Sequence, residues 1–185
     1  MTTALLIIDM QNAILAGKAT PERQPVIDAA LDGTIGRLKD LQAKARDAGV
    51  AVIVIQHDGG EGHRLATGTD GWALRPEISP EAGDILIRKR ASDSFFETDL
   101  ADRLAERSVT HLVIGGGMTQ FCVDTTVRRA VCVGYDVTLI ADGHTTADMG
   151  NLTFSEIVDH HNATLDGFDA GAHTVTVRCA GEISF

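Results

Sequence analysis

Leu5-Leu6-Ile7-Ile8-Asp9 decides the fold: four uninterrupted apolar residues closed by one carboxylate. A strand with one wet face alternates apolar and polar side chains. An unbroken run reads instead as a strand covered on both faces, as in a parallel sheet held between helix layers. The terminal aspartate marks where the chain leaves the core for a loop. After that loop, from about Met10 to Pro25, Ile27, Leu31, Ile35, Leu38, Leu41, Ala45 and Ala48 recur every three or four residues and trace one apolar helix face, with Gly49 as the stop. Val50-Ala51-Val52-Ile53-Val54-Ile55 then repeats the buried-strand pattern. Strand, long helix, strand is a βαβ unit.

The pattern continues outward. Asp84-Ile85-Leu86-Ile87 reads as a third strand opening onto Arg88-Lys89-Arg90, and Thr98 as the cap of a helix carrying Leu100 and Leu104. Thr110-His111-Leu112-Val113-Ile114 is a fourth strand, followed by Gly115-Gly116-Gly117 and a helix from about Gln120 to Val133, which Gly134 stops. Val137-Thr138-Leu139-Ile140 is a fifth. A last helix sets Phe154, Ile157, Val158, His161 and Leu165 on one face, and Thr174-Val175-Thr176-Val177 is a sixth strand. The expected fold is a three-layer α/β/α sandwich with a mainly parallel, doubly wound six-stranded sheet, in one domain over residues 1–185. Gln56 to Gly83 breaks the rhythm. It reads as a long excursion over the end of the sheet, of the kind that forms binding walls, with Trp72 as its packing anchor.

Composition narrows the function classes. Acidic residues outnumber basic ones, 26 to 16, and the formal net charge of -10 argues against nucleic acid or an anionic membrane surface as partner. Cys122, Cys132 and Cys179 form no CxxC pair and suggest free thiols in an intracellular protein. Met1-Thr2-Thr3-Ala4 lacks a basic leader region, and Ala4–Ile8 is too short to cross a bilayer. The expectation is a cytoplasmic protein with no membrane partner.

In open α/β sheets ligands bind beyond the carboxyl ends of the strands. Asp9 follows the first strand, Lys89 the third, and Cys122 lies just beyond the fourth, at a helix start. A thiolate is the attacking form of cysteine, and a helix N-terminus or a nearby cation favours it. A carboxylate can take the thiol proton and return it to a leaving amine, while a lysine holds that carboxylate in place. Backbone N–H groups at Gly117–Met118 and at Cys122 are placed to receive an oxyanion. Each residue also has a plainer reading: Cys122 as a small buried hydrophobe, Asp9 as a turn cap, Lys89 as solvated surface.

These residues resemble the isochorismatase-like cysteine hydrolases, a superfamily that includes nicotinamidases and N-carbamoylsarcosine amidases. The resemblance runs through Leu5–Gln11, Lys89, Ser94–Leu100 and, most strongly, Gly117-Met118-Thr119-Gln120-Phe121-Cys122-Val123-Asp124 and on to Ala130. It continues in Asp142-Gly143-His144-Thr145-Thr146 and His160-His161-Asn162. It implies Cys122 as nucleophile, Asp9 as proton-transfer residue, Lys89 as its partner, and a cis Gly117–Met118 bond that aims the oxyanion donors, which adds Met118 to the catalytic set. It also implies a homodimer or homotetramer.

The metal-using nicotinamidases carry an Asp-x-His pair near the end of strand two. Gln56-His57-Asp58, with His63 beyond, does not reproduce that spacing, so neither metal nor cofactor is expected. Retention of the cysteine points away from vinyl-ether hydrolysis and toward an acyl carbon. Gln11, Gln56, His57, Trp72, Phe95, Thr119 and Phe121 are the candidate substrate-binding residues, and their mixture suggests a small, largely uncharged amide or carbamoyl compound. The competing functions are a nicotinamidase-like or isochorismatase-like hydrolase of other specificity and a noncatalytic thiol-based binding or redox-sensing protein. Gly115-Gly116-Gly117 lacks the spacing of a phosphate-binding loop, so it reads as a turn.

Overall fold

The computed structural model describes residues 2–185; Met1 lies outside them. The apolar runs form strands β1 (Thr3–Ile8), β2 (Ala51–His57), β3 (Ile85–Lys89), β4 (His111–Gly117) and β5 (Asp136–Thr145). Between and after them come helices α1 (Gln24–Asp47), α2 (Leu100–Ala105), α3 (Asp124–Cys132) and α4 (Phe154–Leu165). The chain closes with β6 (Asp169–Ala170) and β7 (His173–Arg178).

The sheet order is β3-β2-β1-β4-β5-β7-β6, parallel except for the last pair. This corrects the expected count of six strands to seven. The added strand, β6, is only two residues long, folds back antiparallel on β7, and carries no apolar run for the sequence pattern to flag. The sheet is therefore mixed at that edge.

Both faces of the sheet are covered, as the uninterrupted strands require. Leu5, Ile7, Val52, Val54, Val113 and Ile140 pack with Ile27, Leu31, Ile35, Leu38 and Leu41 of α1. Leu6, Ile8, Ile53, Ile55, Leu112, Ile114 and Leu139 pack on the opposite face with Leu100 and Leu104 of α2 and Val127, Ala130 and Val131 of α3. Alternate residues of β1 thus feed two cores, the period-two consequence of the pleat. Ala48 falls outside α1 and is exposed.

Several boundaries move. The three glycines belong to β4 itself rather than to a turn after it, and the β4–β5 register shifts between Ile114 and Gly116. Gly116 pairs with Ile8 at a φ of 133°, where a side chain would strike the Ile8 backbone, so only glycine fits. Lys89 ends β3 instead of following it, and β5 runs on to His144 and Thr145. The chain crosses to opposite sides of the sheet between β1 and β4, and the carboxyl end of that pair is the switch point at which such folds bind ligands.

Candidate active site

Asp9 leaves β1 with a φ of 53°, in the left-handed region, which costs a non-glycine residue about 1 kcal/mol. Its amide N–H donates to the Ile55 carbonyl at 2.9 Å, and its own carbonyl accepts from the Gln11 N–H at 2.8 Å. The kink sends the carboxylate inward, where it is fully buried. Lys89 reaches it from β3 across the end of β2, with Nζ 2.7 Å from Asp9 Oδ2 and both side chains closed to solvent.

The ammonium also donates to the carbonyls of Ala91 at 2.9 Å and Ser92 at 3.4 Å. The ion pair is an off-angle contact, and neither Asp9 oxygen has a partner in good hydrogen-bond geometry among the described residues. A buried carboxylate normally has its lone pairs satisfied, so Asp9 is charge-compensated yet open as a proton acceptor.

Cys122 lies in a π-helical turn, Thr119–Val123, just after the cis Gly117–Met118 peptide and ahead of α3. The predicted helix from Gln120 thus begins as a wider turn, a form frequent at functional sites. Burial and the Asp9 charge push the thiol up to about 12, against a smaller pull from Lys89. The raised value favours the thiol over the thiolate, in keeping with the expectation that a carboxylate takes the proton. Burial opposes the Lys89 charge as well, but Asp9 and Cys122 together outweigh it and raise the ammonium above its ordinary value.

Lys89 and Cys122 share one support. The segment after Lys89 is tied to α3 where the Ser94 N–H and hydroxyl meet the Thr126 hydroxyl at 3.1 and 2.9 Å. On the other side, Thr119 Oγ1 lies 2.9 Å from His144 Nδ1, and His144 Nε2 lies 2.9 Å from Asn162 Oδ1. Because Asn162 Nδ2 donates to the Ala141 carbonyl, its oxygen is the acceptor, which assigns the His144 proton to Nε2 and the donor role to Thr119. Burial holds His144 down at about 4, so it is neutral.

Asp9, Met118 and Cys122 line one cavity of about 210 Å³, together with Ile14, Lys18, His57, His63, Arg64, Leu65 and Phe121. A larger groove of about 760 Å³ lies at the opposite, amino end of the strands, beside Thr3, Val50 and Val109, away from this chemistry. Lys89 stands behind Asp9 rather than in the cavity wall.

Of the candidate substrate-binding residues, His57 and Phe121 line the cavity and the other five do not. Gln11 and Gln56 are tethers. Gln11 Nε2 donates to the carbonyls of Trp72 at 2.7 Å and His57 at 3.0 Å, its Oε1 accepts from the His57 N–H at 2.9 Å, and Gln56 Nε2 donates to the Trp72 carbonyl at 3.0 Å. Trp72 donates through Nε1 to Asp58 at 2.8 Å beneath the Arg88 guanidinium, which pins the long excursion. Phe95 stacks on Tyr135, and Thr119 serves His144.

Asp58 is committed to Trp72 and Arg88. No group of three potential metal ligands assembles among the described residues. Lys18 and Arg64 carry no sequence signal for a site, because they sit in irregular segments whose path depends on tertiary contacts.

With this geometry in place, comparison with known proteins is direct. The family model described as the isochorismatase domain matches residues 3–178. The chain belongs to the isochorismatase family. A streptothricin hydrolase of Streptomyces noursei is 36% identical over 147 residues, covering 79% of this chain and 50% of that protein, so the chain spans about half the length of that relative. A ureidoacrylate amidohydrolase of Rhizobium rhizogenes is 30% identical over 169 residues, covering 76% of this chain and 69% of that one. Among solved structures of the isochorismatase family, one from Pseudomonas putida superposes with a TM-score of 0.85 at 26% identity, covering 98% of this chain and 89% of its own.

Proposed function

We propose that this isochorismatase-family chain hydrolyses the C–N bond of a small amide or carbamoyl compound through a covalent cysteine intermediate. One observation carries the reading: a cysteine thiol and a buried carboxylate border the same cavity, with a buried ammonium 2.7 Å from the carboxylate on its far side.

Cys122 gives its proton to Asp9 as the sulfur attacks the carbonyl carbon, and the thiol stays neutral until substrate is present. Lys89 holds the Asp9 carboxylate in place, and its charge offsets the thiolate as it forms. The oxyanion meets backbone N–H donors of the Met118–Cys122 turn. The carbonyl re-forms, and Asp9 returns its proton to the departing nitrogen, releasing ammonia or an amine and leaving a thioester, or a thiocarbamate from a carbamoyl substrate. Asp9 then takes a proton from an attacking water. Collapse frees the acid, and the proton passes back to the sulfur.

The family match, and relatives named as a streptothricin hydrolase and a ureidoacrylate amidohydrolase, support amide-type chemistry. The test is ammonia release from a panel of small amides, ureas and N-carbamoyl compounds. Asp9→Asn should lower kcat/KM on any accepted substrate at least about 100-fold, the scale of a general acid–base contribution. A variant as fast as the parent would remove Asp9 from the mechanism.

A further inference from the structure

The cavity wall carries charge that the proposed chemistry does not use. Arg64 lies half-buried in the wall beside Met118, with its Nε donating to the Ile14 carbonyl at 3.1 Å and Nη2 lying 3.7 Å from Met118 Sδ. Among the described residues it is the one arginine that is not exposed and makes no ion pair; Arg23, Arg37, Arg46, Arg75, Arg88, Arg103, Arg107, Arg128 and Arg129 all have a carboxylate partner. In a chain of 26 acidic residues such an omission is conspicuous. Lys18, exposed at the same wall, has no carboxylate partner among the described residues either.

The third element is His63. Its Nδ1 accepts from the Leu65 N–H at 3.1 Å, which places the ring proton on Nε2. That Nε2 lies 3.5 Å from Arg64 Nη1 at the exposed rim of the cavity, where both groups can donate to one oxygen. An oxygen set between these groups would satisfy both.

Resting on the amidohydrolase reading above, we infer that the cavity selects substrates with a carboxylate on the arm beyond the scissile amide or carbamoyl group, held by Arg64 with Lys18 and His63 Nε2. A guanidinium fork matches a carboxylate in plane, and an unpaired, half-desolvated arginine gains more from it than an exposed one does. The volume, about 210 Å³, is that of about seven waters and admits only a short arm. A carboxylate arm departs from the largely uncharged substrate expected from the sequence, which does not show that the excursion carries Arg64 to the cavity.

The test separates anion selection from turnover. Cys122 is alkylated with N-iodoacetylglycine or N-iodoacetylglycinamide, reagents alike except for the terminal charge, and rates at each cysteine are read by peptide mass spectrometry. The exposed Cys132 and Cys179 are internal references. The ratio of charged to neutral reagent at Cys122 should exceed that at the references at least tenfold. Arg64→Met should cut the excess at least fivefold, Lys18→Met less, and Arg64→Lys should restore part of it. Equal ratios at all three cysteines, or a preference untouched by Arg64→Met, would overturn the inference while leaving Cys122 a reactive thiol. A Cys122 inert to both reagents even at pH 10.5, beside labelled Cys132 and Cys179, would overturn the nucleophile reading and this inference with it.

Discussion

Asp9 and Lys89 meet at 2.7 Å with both side chains closed to solvent, although their strands are not neighbours: β2 lies between them. The pair spans the carboxyl end of the sheet and fixes the floor of the cavity. Removing one partner of a buried pair leaves an uncompensated charge, at a cost of roughly 3–5 kcal/mol. Lys89→Met should therefore lose about that much stability in urea unfolding. Asp9→Asn should lose less, since the ammonium keeps the carbonyls of Ala91 and Ser92. The double variant Asp9→Asn, Lys89→Met should recover much of the loss. Additive losses would mean that the two charges are not coupled.

The convergence of Asp9, Lys89 and Cys122 was legible in sequence because each sits at or just past the end of an apolar strand, where topology alone delivers it to one end of the sheet. The cavity wall was not. Gln11, Gln56 and Trp72 stand near the site but spend their polar groups holding the excursion, a division of labour set by hydrogen bonds distant in sequence. Arg64 lies at the site in an excursion whose residues Gly71, Trp72 and Ala73 are pinned over residues 11–13, with its own Nε on the Ile14 carbonyl. The strand β6 was missed because two residues of backbone pairing leave no periodicity to read.

The thiol gives a pH prediction. Unfolded, Cys122 ionises near 9.0; folded, it holds its proton to about 12. Between those values the unfolded chain binds fewer protons, so stability falls as pH rises, and the raised ammonium of Lys89 acts in the same direction above 10.5. Alkylation of Cys122 by iodoacetamide should accordingly keep accelerating from pH 8.5 to 10.5. A plateau near 9 would show a thiol free of its neighbours.

At the acid end the sign reverses. His144 is held down at about 4 against an unfolded value of 6.5, so the unfolded chain binds the extra proton and stability falls as pH drops from 6.5 toward 4. One such group gives a slope near 1.4 kcal/mol per pH unit at most. Urea midpoints at pH 7, 6 and 5 should fall more steeply for the parent than for His144→Gln. Equal slopes would contradict the assignment.

Thr119 meets His144 and does not line the cavity. Thr119→Val removes the hydroxyl that donates to Nδ1 and leaves that nitrogen buried and unpaired, which costs about 1–3 kcal/mol. If the contact positions the Cys122 turn, kcat should fall several-fold with KM little changed, while Thr119→Ser keeps the hydroxyl and retains the parent rate. A stability loss with kcat intact would reduce Thr119 to packing.

The most direct test of the central claim is the turnover of Cys122→Ala. On whichever small amide or N-carbamoyl compound the parent hydrolyses with release of ammonia, the variant should keep the parent's fold and urea midpoint to within about 1 kcal/mol and lose activity at least about a thousandfold, since no other thiol or hydroxyl side chain among the described residues lines the cavity. Turnover near the parent rate in the Cys122→Ala protein would contradict the account.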